Sequence, residues 1–287
     1  MRKVLVTGGN RGIGRAIVEA ILAGHDDTFV FMGSRDEGRG RDARAALLAQ
    51  RPDWATRLAV LPLDVASDAS VTRAAGQLAD EAPLYGIVNN AGIGSGGLRA
   101  VLNVNILGVR RVCEAFRPLL QDDGRIVTVS SASGPSFVSR CGPARQALFT
   151  DAQVSWAQLE AFTDECGALL DAGEDFGAHG LGDGRPYGLS KALVNSLTML
   201  YARENPSLKV NACTPGFIET DMTRAYAEAA NKTPAEMGMK SPAEGCRSTI
   251  HLLFSPAVAS GQYFGSDAQR SPLDRYRSPG DPPYTGD

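Results

Sequence analysis

Tyr187 and Lys191 stand four residues apart in the run Tyr187-Gly-Leu-Ser-Lys191, inside a segment whose pattern reads as helix. At that spacing the phenol and the ammonium share one helix face. A free tyrosine has a pKa of about 10, but a cation held beside it favours the phenolate and lowers that value. A tyrosine tuned in this way can exchange a proton with a bound molecule. The same spacing also occurs in purely structural pairs, so its meaning depends on what the chain places around it.

The elements that must position the pair follow an alternating pattern. Short β-rich runs near 3–7, 28–33, 58–63 and 84–89 alternate with helical patterns near 13–23, 38–50 and 68–81. A helix over 101–120 leads to a fifth strand, 124–131, and further strands are expected at 208–214 and 261–265. Such alternation predicts an α/β fold, a Rossmann-like doubly wound parallel sheet of about seven strands with helices on both faces. No polar linker interrupts it, so residues 1–265 are read as one domain. A helical insertion of about 135–185 precedes the Tyr187 segment; Trp156, Leu159, Phe162, Cys166 and Leu169 recur in it at the spacing of an amphipathic helix. Residues 266–287 form a Pro/Gly-rich tail, expected to be extended or disordered, in which Ser271 and Ser278 each sit in an Arg-Ser-Pro triplet as conceivable phosphorylation sites.

Composition narrows the partners. With 29 Lys+Arg against 32 Asp+Glu the formal charge is -3, and no sustained basic run favours a nucleic acid backbone. No apolar stretch is long enough to span a bilayer, and the first strand begins too near Met1 for a secretory signal, so no membrane association and a cytoplasmic location are expected. Five scattered cysteines, none in a CxxC arrangement, are read as reduced thiols rather than disulfides or zinc ligands, and no metal is expected. Cys141 lies nearest the expected site and is the one candidate reactive thiol.

At the amino end, strand one runs into Thr7-Gly8-Gly9-Asn10-Arg11-Gly12-Ile13-Gly14 and then a helix. Glycines there permit a tight turn, close approach of a pyrophosphate and close helix–sheet packing, and the helix N-terminus attracts the anion. The end of strand two reads Phe31-Met-Gly-Ser34-Arg35, where binders of NAD usually carry an acid for the ribose 2′-hydroxyl. Arg35, with Arg11, suits a 2′-phosphate and so NADPH/NADP. The adjacent Asp36 keeps NAD open.

Taken in order, Thr7–Gly14, Asn89-Asn-Ala-Gly92, Ser131, Tyr187-x-x-x-Lys191 and Pro215-Gly216 resemble the short-chain dehydrogenase/reductase superfamily, over roughly residues 3–265. The long insertion and the wording of the glycine loop resemble its monomeric, NADPH-dependent carbonyl reductase branch. The resemblance implies that Tyr187 protonates a carbonyl oxygen as hydride arrives, that Lys191 lowers the tyrosine pKa and holds the nicotinamide ribose, that Ser131 orients the substrate oxygen, and that Asn105 helps hold a relay water. It further implies cofactor contacts from Gly8, Asn10, Arg11, Gly12, Ile13, Gly14, Arg35, Asp64, Val65, Asn89, Ala91, Gly92, Tyr187, Lys191, Pro215, Gly216, Ile218 and Thr220. The expected activity is NADPH-dependent reduction of an aldehyde, ketone or quinone, a small-molecule carbonyl. The alternatives are a non-catalytic NADP(H)-binding regulator of the same fold and an alcohol dehydrogenase working in the oxidative direction. Because the insertion enters the helix through which many such enzymes pair, a monomer is expected. The segment 93–104 is short and glycine-rich, which predicts a more open substrate rim.

Overall fold

The computed structural model describes residues 1–286. Strands β1 (Arg2–Val6), β2 (Thr28–Ser34), β3 (Leu58–Pro62), β4 (Leu84–Asn89), β5 (Leu120–Val129), β6 (Lys209–Cys213) and β7 (Gln262–Phe264) form one sheet in the order β3-β2-β1-β4-β5-β6-β7. Every ladder is parallel. The chain winds outward from β1 in one direction and then from β4 in the other, so a crevice opens at their carboxyl ends, the place where open α/β sheets bind ligands.

Runs such as Val4-Leu-Val6 and Val30-Phe-Met32 are buried on both sides, as expected of strands covered on both faces. Helices α1 (Gly12–Gly24), α2 (Glu37–Gln50) and, late in the chain, α11 (Arg247–Phe254) pack Ile17, Val18, Leu47 and Leu253 on one face. On the other lie α3 (Asp68–Leu78), α4 (Gly97–Leu102), α5 (Gly108–Phe116) and α9 (Pro186–Glu204), with Val112, Phe116, Leu193 and Leu197 in the core. Among the described residues no helix is long and apolar enough to cross a membrane.

The insertion folds as α6 (Ser133–Val138), α7 (Pro143–Thr150) and α8 (Trp156–Ala172), the last matching the expected amphipathic helix. A capping box, Ser155 with Gln158, starts α8. Phe137, Phe149 and Phe162 meet edge to face, at 6.0 and 5.3 Å between centroids, and share a core with Leu193 and Leu197. This packing hides the outer side of α9, 14 of whose 19 residues are buried.

Three sequence expectations are corrected. The single helix expected over 101–120 is two helices joined by a π turn, Asn103–Leu107. It starts earlier, after Gly96 at φ 105°, and the wider turn carries Asn105. The fifth strand, expected over 124–131, starts at Leu120 and ends before the serine pair: its ladder shifts between Leu84–Leu120 and Gly86–Arg125, so Asp122-Asp123-Gly124 lies within the strand. Among its described residues the tail has no helix or strand, yet it is docked. Ser271 N donates to Tyr263 O at 2.8 Å and Tyr284 N to Arg270 O at 3.0 Å. Arg277 and Asp267 form an ion pair with side chains 6% and 16% exposed, and Arg277 Nε donates to Ser271 Oγ. Burial pulls the Asp267 carboxyl up, but Arg277 and the N–H groups of Gln269 and Gly280 more than offset this and hold it below its ordinary value. Ser271 is only 5% exposed, which rules it out as an accessible phosphorylation site in the folded protein, whereas Ser278 is exposed.

Candidate functional site

The crevice is built first from the loop between β1 and α1. Gly8 and Gly12 adopt φ of 63° and 53°, which favours glycine. Gly14 is required for a different reason: a Cβ there would stand 2.2 Å from Gly8 O and 2.4 Å from Asn90 Nδ2. The loop is thus clasped from β4. Asn90 Nδ2 donates to Thr7 O and Gly8 O at 2.9 and 3.2 Å, while Thr7 Oγ1 accepts from the Asn90 and Ala91 N–H groups, each at 3.0 Å. The turn leaves the first N–H groups of α1 at the crevice, where an anion is stabilised.

Beyond the loop, Asn10, Arg11, Arg15, Arg39 and Asp42 line an open depression of about 330 Å³. Ile13 turns inward to pack on the core. Arg11 Nη1 bonds Asp221 Oδ2 at 3.1 Å, and Arg39 lies 3.6 Å from Asp36. Arg35 is exposed at the end of β2 and forms no ion pair among the described residues. Asp36 Oδ1 takes the Arg39 N–H at 3.0 Å and so caps α2.

Along the crevice, Asp64 Oδ1 accepts from Ala66 N at 3.0 Å in a tight turn, and Val65 packs against α5, where a Cβ on Gly108 would stand 3.0 Å away. Asn89 is buried with its amide on Cys113 Sγ at 3.3 Å, so its side chain faces the interior, while Ala91 and Gly92 present backbone. Across the crevice, Pro215, Gly216 (φ 93°), Ile218 and Thr220 follow β6. Ile218 bridges to Lys240, and Thr220 opens helix α10 (Asp221–Ala229) with Thr223 Oγ1 accepting its N–H at 2.9 Å. Thr220 lies against the glycine loop, since a Cβ on Gly12 would meet its Cγ2 at 3.5 Å.

The chemical end assembles around α9, which starts with Pro186 at a first-turn position. Lys191, 7% exposed, donates from Nζ to Val129 O at 2.9 Å and stands 5.6 Å from the centroid of the Tyr187 ring. An ammonium has three donors, and only one has a protein acceptor among the described residues. A Cβ on Gly92 would sit 3.2 Å from Asn105 Oδ1 and 3.8 Å from Lys191 Nζ, so these three groups converge. Asn105 bonds Ile93 through both N–H and C=O, at 2.9 and 3.0 Å, and donates to Ser190 Oγ at 3.0 Å. Ser190 in turn donates to Tyr187 O at 2.8 Å. Ser131 Oγ accepts from Ser133 N at 3.1 Å, and the Ser131 hydroxyl acts on the Tyr187 phenol.

Electrostatics here differ from the expectation of a depressed tyrosine pKa. Burial raises Tyr187 above its ordinary value; the Ser131 hydrogen bond opposes this and Tyr226 adds to it. Burial also pulls Lys191 down to about 8. Lys191 is not among the groups acting on the phenol; its Nζ gives one of its three donors to Val129 O and lies 5.6 Å from the ring centroid. Cys141 is 6% exposed, and burial pushes its thiol up to about 11, so it is not a reactive nucleophile.

The contacts bring the glycine loop to Ala91 and Thr220, and Gly92 to Asn105 and Lys191; Arg35 and Asp64 follow the ends of β2 and β3, and the side chains of Asn89, Val65 and Ile13 turn inward. Four supports are not legible as such in the sequence. Asn90 and Ser190 sit inside quoted motifs but reveal their bonds only in three dimensions. Gly134 lets α6 touch α9, since a Cβ would stand 2.8 Å from the Lys191 carbonyl carbon. Arg39 joins the basic depression one turn after Arg35, a spacing that could have flagged it.

The fold is a doubly wound α/β sheet with a glycine loop and a helix N-terminus at its switch point, the arrangement that binds a dinucleotide in such sheets. The comparisons agree: the short chain dehydrogenase family matches residues 2–141. Carbonyl reductase [NADPH] 1 of Pongo abelii is 30% identical over 287 residues, covering 92% of this chain and 94% of the relative. (+)-Neomenthol dehydrogenase of Arabidopsis thaliana is 29% identical, covering 92% and 95%. The structure of salutaridine reductase from Papaver somniferum superposes with a TM-score of 0.78 at 23% identity, over 92% of this chain and 99% of that one. The chain belongs to the short-chain dehydrogenase/reductase superfamily and is similar to its carbonyl reductase branch.

Proposed function

We propose that the protein is an NADPH-dependent reductase of a small aldehyde, ketone or quinone. The observation that carries the reading is the convergence of Tyr187, Lys191, Ser131 and Asn105 at the switch point of the sheet, beside a glycine loop that admits no larger residue at position 14. The relatives' names, carbonyl reductase [NADPH] among them, support it. A bound nicotinamide supplies hydride; the chain does the rest. Ser131 offers its hydroxyl to the substrate oxygen, and Tyr187 donates the proton that oxygen needs as it becomes an alcohol. The two free Lys191 donors suit ribose hydroxyls and hold positive charge near the phenol. Asn105, whose side chain is fixed by Ile93 and Ser190, would hold a relay water beside Lys191 through its backbone carbonyl and its remaining acceptor site. Loss of NADPH absorbance with a panel of aldehydes, ketones and quinones tests the proposal, and no oxidation with any of them would refute it.

Arg35 carries the cofactor choice. Asp36 is committed to capping α2, which leaves the unpaired Arg35 guanidinium for a 2′-phosphate. Arg35→Ala is expected to weaken NADPH binding by about tenfold, one charge-assisted contact of about 1.4 kcal/mol, and to leave NADH unchanged. Equal effects on both cofactors in a fluorescence titration would reject the assignment.

Lys191 sets a pH dependence. Its folded value near 8 lies below the ordinary 10.5, so the free protein sheds this proton as pH rises through about 8. Holding an anionic dinucleotide favours the charged form, so above that pH binding must take a proton up. NADPH affinity should fall by up to about tenfold per pH unit above 8, with proton uptake visible calorimetrically in buffers of different ionisation enthalpy. Absence of uptake at alkaline pH would contradict the role given to Lys191.

A monomer is the expected assembly, because α7 and α8 cover the side of α9 through which relatives would pair. A stable dimer or tetramer in light scattering at micromolar concentration would overturn this.

A further inference from the structure

We infer that the C-terminal segment Ser266–Tyr284 is a fixed wall of the substrate cleft and that Tyr276 is a specificity-determining residue, an aromatic face for the apolar part of a carbonyl substrate. The inference rests on the reductase reading for the nature of the ligand, but its evidence is separate.

The segment begins against the far side of the cleft: a Cβ on Gly216 would stand 3.2 Å from Ser266 Cβ. It then doubles back. Phe264 bridges antiparallel to Arg270, and Ser271 N bonds Tyr263 O at 2.8 Å, which brings the following residues over the carboxyl end of β7. There a small cavity is lined by Ala132, Pro135 and Tyr263 of the body and by Arg275, Tyr276 and Arg277 of the tail, among others. Ala132 directly follows Ser131, so this wall abuts the hydroxyl assigned to the substrate oxygen. Tyr187 and Tyr276 both act electrostatically on the buried Tyr263 phenol, which lines the cavity with Tyr276.

What the wall presents follows from how it is held. On one side of Tyr276 stands Arg277, 6% exposed at its side chain and bonded to Asp267, Ser271 Oγ and the Asp281 carbonyl. On the other, Arg275 pairs with Asp274 at 2.9 Å and lies 5.5 Å from the Tyr284 ring centroid. Its charge is answered locally. The tail therefore offers an aromatic ring beside two cations whose charges are answered within the tail, on a backbone whose ordering cost has been met by the bonds around it. Tyr276 itself remains 53% exposed, a large ring held open on a pinned segment. Across the mouth stand Met222, against Gly94 of the short 93–104 segment, and Tyr226, which acts on the Tyr187 phenol. Met222 of α10 thus reaches the short 93–104 segment. A ring of the substrate would lie against Tyr276 while its carbonyl meets Ser131 and Tyr187. Offset or edge contact between aromatic rings adds to simple burial.

The test uses the full-length protein saturated with NADP⁺, which binds a ketone without turning it over. Binding of 2-acetylnaphthalene is measured by calorimetry for wild type, Tyr276→Ala and Tyr276→Phe, and KM for propanal with NADPH is measured alongside. The expected result is a Kd for the naphthyl ketone three- to tenfold weaker, on the order of one aromatic contact, in Tyr276→Ala, recovery in Tyr276→Phe, and a propanal KM within about twofold of wild type. Equal Kd values for Tyr276→Ala and wild type, no binding by wild type, or an equal loss for propanal would each overturn the inference. A wild type that binds the ketone in a Tyr276-dependent way but never oxidises NADPH would leave the wall standing and sink the reductase reading alone.

Discussion

Tyr187→Phe is expected to lower kcat by about 10²–10⁴-fold, the usual worth of a positioned acid or base. The substitution removes one oxygen from a half-buried ring that α9 holds through backbone contacts, so the helix, Lys191 and the cleft should keep their shape. NADPH binding should change by less than about threefold, because Lys191 keeps its bond to Val129 O and its two remaining donors. The two readouts separate the roles: a chemical role predicts a fall in kcat with little change in Kd for NADPH. A structural role would move both. The high phenol pKa in the cofactor-free protein is consistent with a group that must be a proton donor, since burial keeps the proton on oxygen near neutral pH. Near-wild-type turnover in the variant would remove Tyr187 from the mechanism.

Gly14→Ala is expected to abolish cofactor binding. The added methyl would stand 2.2 Å from Gly8 O and 2.9 Å from Gly8 C, both backbone atoms that no rotamer change can clear. Asn90 Nδ2, 2.4 Å away, is the amide that holds Thr7 and Gly8, so its displacement would release the clasp as well. Overpacking of this kind costs about 1–3 kcal/mol, and the loop that must bend furthest is the one that meets the pyrophosphate. NADPH titration should show at least a hundredfold weaker binding, with a lowered melting temperature. Gly24→Ala is the control, since nothing lies within 4 Å of a Cβ there. If Gly14→Ala bound NADPH normally, the close approach assigned to this loop would be wrong.

The sheet was readable from the sequence because its strands are continuous apolar runs separated by turn residues, and strands covered on both faces show that signal strongly. Tyr187, Lys191 and the glycine loop were readable because their spacing is local. The supports were less so. Asn90 and Gly134 act on residues far along the chain, Asn90 through bonds at separations of 82 and 83 and Gly134 against Lys191, and neither residue type announces so distant a partner. The π turn at Asn105 escaped because it changes the helical period for only five residues. The tail looked unable to order itself, being rich in Pro and Gly with few apolar groups. Its order comes instead from one buried ion pair, Asp267 with Arg277, and from backbone bonds to β7 and Arg270, which composition does not encode.

The proposal stands or falls on whether hydride moves from the cofactor to a carbonyl carbon. Deuterium-labelled NADPH, prepared separately with the label on each face of the nicotinamide C4, should be incubated with the enzyme and an aldehyde or ketone it consumes, and the alcohol examined by NMR and mass spectrometry. The account predicts one deuterium on the carbinol carbon from one labelled face and none from the other, and loss of that product with Tyr187→Phe. Binding of NADPH with no deuterium in any product across the carbonyl panel would contradict it and leave a cofactor-binding protein without this chemistry.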